Sequence, residues 1–231
     1  PKKLGYPFGP YMREELPKQG NVLFQHATVW TSGPAGIIQD GAIFISDGKI
    51  TFVGTDKDWQ SWVSNKRLAN LETIDCKGKH ITPGIIDCHS HTGISRGVNE
   101  GGQAVTAEVR IEDVTDPDAI SWYRQLGGGV TCVNNLHGSA NAIGGQNCVN
   151  KNRWGAIRPD DLHFAGAIPG IKFALGENPK WSNAGDRSNN RYPQTRMGVE
   201  TLIRDRFMAA GQYTSDWAMY AAYKGDKALD G

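Results

Sequence analysis

The chain has 231 residues, 39% of them hydrophobic and 21% charged, an ordinary globular composition for one sizeable core or two modest ones. Its 25 basic and 24 acidic residues are spread evenly for a net charge of +1, which excludes the basic stripe that nucleic acid or an anionic membrane surface requires. No apolar run approaches the roughly 20 residues of a membrane span.

The chain opens on Pro1, and "PKKLGYPFGP" lacks the apolar core of a signal peptide. Compartment is therefore left open between the cytoplasm and, with a leader removed, the periplasm or exterior. Residues 1 to 20 show neither helical nor strand period and read as an extended arm or linker. From Asn21, "VLFQHATVW" has the texture of a strand, and "GAIFISDGKITFVG" alternates on both sides of Asp47-Gly48, a strong hairpin signal. A short helix from an acidic cap is expected over 56 to 69, followed by a strand with a turn at Lys77-Gly78. Residues 21 to 80 thus form a small β domain.

Beyond residue 80 the texture changes to strands alternating with helices, which implies a parallel sheet. "HITPGIIDCHSH" reads as a buried strand, "PDAISWYRQLGGG" as a helix with proline in its first turn, and "VTCVNNLHG" as a strand. One or two strands follow in "LHFAGAIPGIKFALG". A long amphipathic helix closes the pattern in "GVETLIRDRFMAAGQYTSDWAMYAAYK", its aromatic residues at core spacing. Cys76, Cys88, Cys132 and Cys148 form no C-x-x-C pair and are expected as free thiols, mostly buried.

On a strand, residues two apart share a face, so Asp87, His89 and His91 point one way and Cys88 and Ser90 the other. Two imidazoles aimed at one point suit zinc or another first-row divalent ion. Solvent-exposed histidines at a strand end are also common, and the pair alone leaves both readings open.

The hairpin with "DGKI", followed by the motif of residues 75 to 91, "D-x-K-G-K-x-I-T-P-G-I-I-D-x-H-x-H", resembles the amidohydrolase superfamily of metal-dependent hydrolases. More narrowly it resembles the imidazolonepropionase-related amidohydrolases. The resemblance implies an α/β fold, a small β-sandwich domain (21 to 80) preceding a (β/α)8 TIM-type barrel. Residues 81 to 231 are its first part, being far fewer than the ~250 of a complete barrel. It implies His89 and His91 as metal ligands, one or two divalent ions with zinc foremost, and hydrolysis of a C–N bond in an amide or cyclic amide. Lys172 resembles the carboxylated lysine that bridges two metals in such enzymes, with Glu177 the fallback ligand. His137, in the glycine-rich "NNLHGSANAIGGQ", and Arg196, ahead of the last helix, are candidates for substrate contact. Arg191 and Tyr192 lie in the same segment. His26, His80 and His163 receive no role, and Lys180 reads as solvated.

The resemblance also implies histidines from two later strands and a general-base aspartate that no segment here supplies. On its own the chain is expected to be inactive, its partners being a small-molecule substrate and either a second copy or the remainder of the barrel. The alternative is a non-catalytic assembly element packed against other chains through its unfinished edges.

Overall fold

In the computed structural model the described residues are 19 to 180 and 191 to 227, with side chains described as far as 224. The arm expected over residues 1 to 20 lies outside them except for Gln19 and Gly20. The chain divides into two compact units, one ending at Ile85 and the other beginning at Ile86.

The first unit is a five-stranded sheet. Strands β1 (Asn21–Trp30), β2 (Ile37–Ser46), β3 (Lys49–Thr55) and β4 (Leu71–Asp75) lie in the order β3-β2-β1-β4, and the short β5 (His80–Ile81) also pairs with β1. The β2-β3 hairpin turns at Asp47-Gly48, both with positive φ (51° and 70°), the primed-turn geometry that the Asp-Gly pair favours. Two further residues leave the β region, His26 (φ 60°) and Asp40 (φ 48°), where the β1-β2 register shifts. Each irregularity changes the inside-outside phase of its strand. Leu23 therefore faces one core with Ala42, Phe44 and Trp59, while Ala27 and Val29, beyond the β1 irregularity, face another with Ile43 and Cys76. The two bulges are joined by His26 Nδ1 and Asp40 Oδ1 at 3.0 Å.

Helix α1 (Asp56–Val63) is shorter than expected and starts differently. Its cap is Thr55, whose hydroxyl accepts from Asp58 N while the Asp58 carboxylate accepts from Thr55 N, a complete capping box. Trp59 and Trp62 on α1 stack with ring centroids 5.3 Å apart and meet Phe44 and Phe52.

The run read as one buried strand from His80 is broken at Thr82–Gly84 and resumes as β6 (Ile85–Ser90), where Ile85 and Ile86 are exposed. A proline without an N–H interrupts the ladder here. In the second unit β6 joins β7 (Val130–Asn135) and β9 (Cys148–Lys151) in the order β6-β7-β9, and β8 (Ile143–Gln146) pairs with β10 (Ile171–Phe173). Parallel pairing was expected throughout, yet β7-β9 is antiparallel, Asn135 opposite Cys148, and so is β8-β10. No helix lies between Asn135 and Cys148 to carry a parallel crossover.

Helix α2 (Ser121–Gly127) begins after, not at, Pro117: Asp116 Oδ1 accepts from Asp118 N and holds a separate turn ahead of it. Helix α3 (Arg196–Lys227) is present at the expected place, but among its described residues it buries only Gly198, Val199 and Leu202 near its start. Phe207, Met208, Tyr213, Trp217 and Tyr220 are exposed, so the expected core aromatics are surface residues in this structure. Among the described residues no helix is long and apolar enough to cross a membrane. All four cysteines are free; Cys76 and Cys148 are buried, Cys132 is half-buried and Cys88 is exposed.

Candidate metal centre

Strand β6 delivers His89 and, one residue past its end, His91. Asp87 Oδ1 accepts from His89 N at 3.1 Å and shapes the strand exit, while Ser90 is buried although Cys88, two residues earlier, is exposed. The two imidazoles meet edge to face with centroids 5.4 Å apart. His91 Nδ1 lies 2.9 Å from the Leu136 carbonyl, so Nδ1 carries the proton and Nε2 presents its lone pair.

Strand β10 brings Lys172 to the same place. Its Nζ is 3.4 Å from His89 Nε2 and 3.5 Å from the His137 carbonyl. Only 9% of the residue is exposed, and among the described residues no ion pair joins it to a carboxylate. Desolvation pushes its amine below the usual lysine range. His89 is held below the ordinary histidine range, first by the Lys172 charge, then by burial and His91, against an opposing pull from Asp87. Both shifts favour the neutral, lone-pair-bearing forms.

The other predicted residues have contacts of their own. His137 is buried with both ring nitrogens committed to backbone: Nδ1 donates to the Gly138 carbonyl (2.9 Å) and Nε2 accepts from Glu100 N (2.7 Å). A Cβ on Gly144 would approach this ring to 2.8 Å, which is why the loop needs glycine there. Glu177 is exposed and ion-paired with Lys180 and, at 3.8 Å, with Arg196 Nε. Lys180, read as solvated, is thus a partner of Glu177.

Sequence reasoning missed the groups that hold the loop over residues 99 to 106. Asn141 Nδ2 lies within 2.6 Å of the Glu100 carbonyl, 3.0 Å of the Gln103 carbonyl and 2.7 Å of Thr106 Oγ1. Arg191 donates from Nη1 to the Gly101 and Gln103 carbonyls (2.8 Å each) and from Nη2 to the Ala140 carbonyl (2.6 Å). It clamps the backbone of this loop. The glycines of the loop were the one local sign that backbone and side chains meet closely there.

No family model matches the chain. An imidazolonepropionase from Brucella anthropi is 30% identical over 129 residues, which cover 54% of this chain and 29% of the relative. One from a Methylobacterium strain is 36% identical over 86 residues, 37% of this chain and 19% of the relative. The crystal structure of an amidohydrolase from Thermotoga maritima MSB8 is similar with a TM-score of 0.68 and 32% identity, covering 86% of this chain and 49% of that one. The chain therefore spans under a third of these curated relatives and about half of the solved one. The motif on β5 and β6, the paired imidazoles and these likenesses together support the amidohydrolase superfamily for the part of the chain that they cover.

Proposed function

We propose that this polypeptide is part of a metal-dependent amidohydrolase that cleaves a C–N bond of an amide or cyclic amide in a small-molecule substrate. His89, His91 and Lys172 are the ligands it contributes to a centre of one or two divalent ions, zinc foremost. The observation that carries this reading is the approach of a desolvated lysine amine to 3.4 Å from His89 Nε2. A buried lysine beside one imidazole nitrogen and one main-chain carbonyl is costly as a cation, yet it suits a site in which a neutral amine adds carbon dioxide. In that step the Nζ lone pair forms the N–C bond, one N–H proton leaves to solvent, and the product is an anionic carbamate.

A divalent ion held there supplies Lewis acidity, polarising a substrate carbonyl and bringing the pKa of water towards about 7. The chain's own residues prepare the site. Leu136 fixes the His91 tautomer, Asp87 fixes the course of the backbone at His89, and the low proton affinity of His89 keeps its ring available at neutral pH. Arg196 at the entrance of α3 is the proposed contact for a substrate carboxylate, in competition with Glu177. His137 contributes by holding the 99 to 106 loop. In this reading the first unit is the small β-sandwich domain and the second the first part of the (β/α)8 barrel, completed by further chain or by a second copy. The likeness to the Thermotoga structure supports both assignments.

Metal analysis with intact mass spectrometry tests the proposal. The protein supplied with zinc and bicarbonate is expected to bind ions that are lost on His89→Ala/His91→Ala, and to carry a carbon dioxide adduct that Lys172→Ala removes. Unchanged metal stoichiometry in the double variant overturns it.

A further inference from the structure

A second group of ligating side chains gathers along β9, made of residues the proposed centre does not use. Cys148 and Asn150 lie two apart on β9 and share its buried face. His163, just after the turn Pro159–Leu162, is bridged antiparallel to Asn150, and Phe164 N donates to the Val149 carbonyl at 2.9 Å. That short pairing sets the His163 ring beside Cys148. Glu112 arrives from the separate turn Ile111–Val114. One ligand atom from each of Glu112, Cys148 and His163 lies within 4.8 Å of the other two.

The chemistry of the three is unresolved by protein partners alone. His163 Nε2 is buried and makes no hydrogen bond; its neighbour is Glu112 Oε2 at 3.6 Å, too long for one. The other Glu112 oxygen is taken by Arg110 Nη1 at 2.9 Å, and the same guanidinium is shared with Asp113, which leaves Oε2 turned towards the cluster. Cys148 is 7% exposed and its Sγ donates to Asn150 Oδ1 at 3.3 Å. Burial, with Glu112 second, pushes its thiol up to about 11. An imidazole nitrogen, a carboxylate oxygen and a sulfur thus converge on one place.

We propose that Glu112, Cys148 and His163 form a second metal site that takes a borderline divalent cation such as zinc. Zinc–ligand distances of about 2.0 to 2.3 Å set the edges of a tetrahedral site at about 3.3 to 3.8 Å, so the donors need to close by up to about 1.5 Å. Glu112 and His163 keep about a third of their side chains exposed, which gives an ion entry and leaves a fourth position to water. The mixed nitrogen, oxygen and sulfur set favours zinc, cobalt or cadmium over magnesium or calcium. Binding exchanges the Cys148 thiol proton for the ion and releases that proton to solvent, so affinity rises with pH. The site shares no residue with the His89–His91–Lys172 centre and does not depend on that assignment.

Cobalt(II) titration separates the two, because a bond from sulfur to cobalt gives a near-ultraviolet charge-transfer absorption that a centre of imidazoles and a carbamate lacks. The His89→Ala/His91→Ala protein is expected to bind one cobalt with that absorption. Adding Cys148→Ser should abolish the band, whereas adding Cys88→Ser should leave it. His163→Gln and Glu112→Gln, which keep the sulfur, should each weaken cobalt binding by roughly tenfold or more; they decide the matter if Cys148→Ser does not fold. Absence of the band in the double-histidine protein, its persistence in folded Cys148→Ser, or unchanged affinity in both glutamine variants overturns the site.

Discussion

The two units of this chain bury different chemistry. The first hides carbon: Phe44, Trp59, Ala42 and Leu23 form one core, with Phe52 and Trp62 packed on it, and aromatic centroids lie 5.2 to 5.8 Å apart. The second has apolar clusters around Trp122 and Val199 and hides amides and hydroxyls as well. Asn135, Asn141, Asn150, Asn152, Thr92, Thr106 and His137 are all buried there, mostly bonded to loop backbone. Apolar packing is non-directional and tolerates adjustment, whereas a buried amide fixes a particular carbonyl in a particular place. The unit that carries the ligands is the one built from directional contacts.

Trp59→Ala should have the largest effect, a loss of about 3 to 5 kcal/mol in the first unit measured by urea unfolding, since the indole leaves a cavity among three aromatic partners. If it costs less than the polar variant below, the contrast between the units fails. Next comes alkaline pH. Because Cys148 is raised to about 11 from 9.0, the unfolded chain loses its proton first, so stability should fall as pH rises from about 9 to 11. The loss is at most about 3 kcal/mol by 1.36 kcal/mol per unit, and a pH series on Cys148→Ala should lack it. Asn141→Ala should cost about 2 kcal/mol by leaving buried carbonyls short of a donor. Faster amide hydrogen exchange over residues 99 to 106 is the accompanying sign, and unchanged exchange there would contradict the role given to Asn141. Smallest, Thr55→Ala should remove about 1 kcal/mol by deleting the capping box, with no change in metal binding.

What could be read from the chain in advance was local. Asp47-Gly48 declared its hairpin because both residues tolerate positive φ, and the strand period alone put His89 and His91 on one face. The proline break before β6 could have been read locally and was not, because the apolar residues on either side suggested continuity. Helix α3 declared its existence through its composition, but the burial of its aromatics depends on what lies against it, which spacing does not contain. The contacts that assemble the loop were out of reach for another reason. Arg191 meets carbonyls about 90 positions earlier, and Glu112, Cys148 and His163 converge through a two-residue bridge with no repeat or spacing to mark it.

The carbonyls of Leu136 and His137 face the two halves of the proposed centre in succession, one accepting from His91 Nδ1 and the next approached by Lys172 Nζ. Two successive peptide units therefore work as a gauge block between β6 and β10. The spacing of those donors is written in main-chain geometry, which the identity of the side chains at 136 and 137 does not alter directly. Isotope labels on these two carbonyls would report vibrationally on both ligands at once, from atoms that belong to neither.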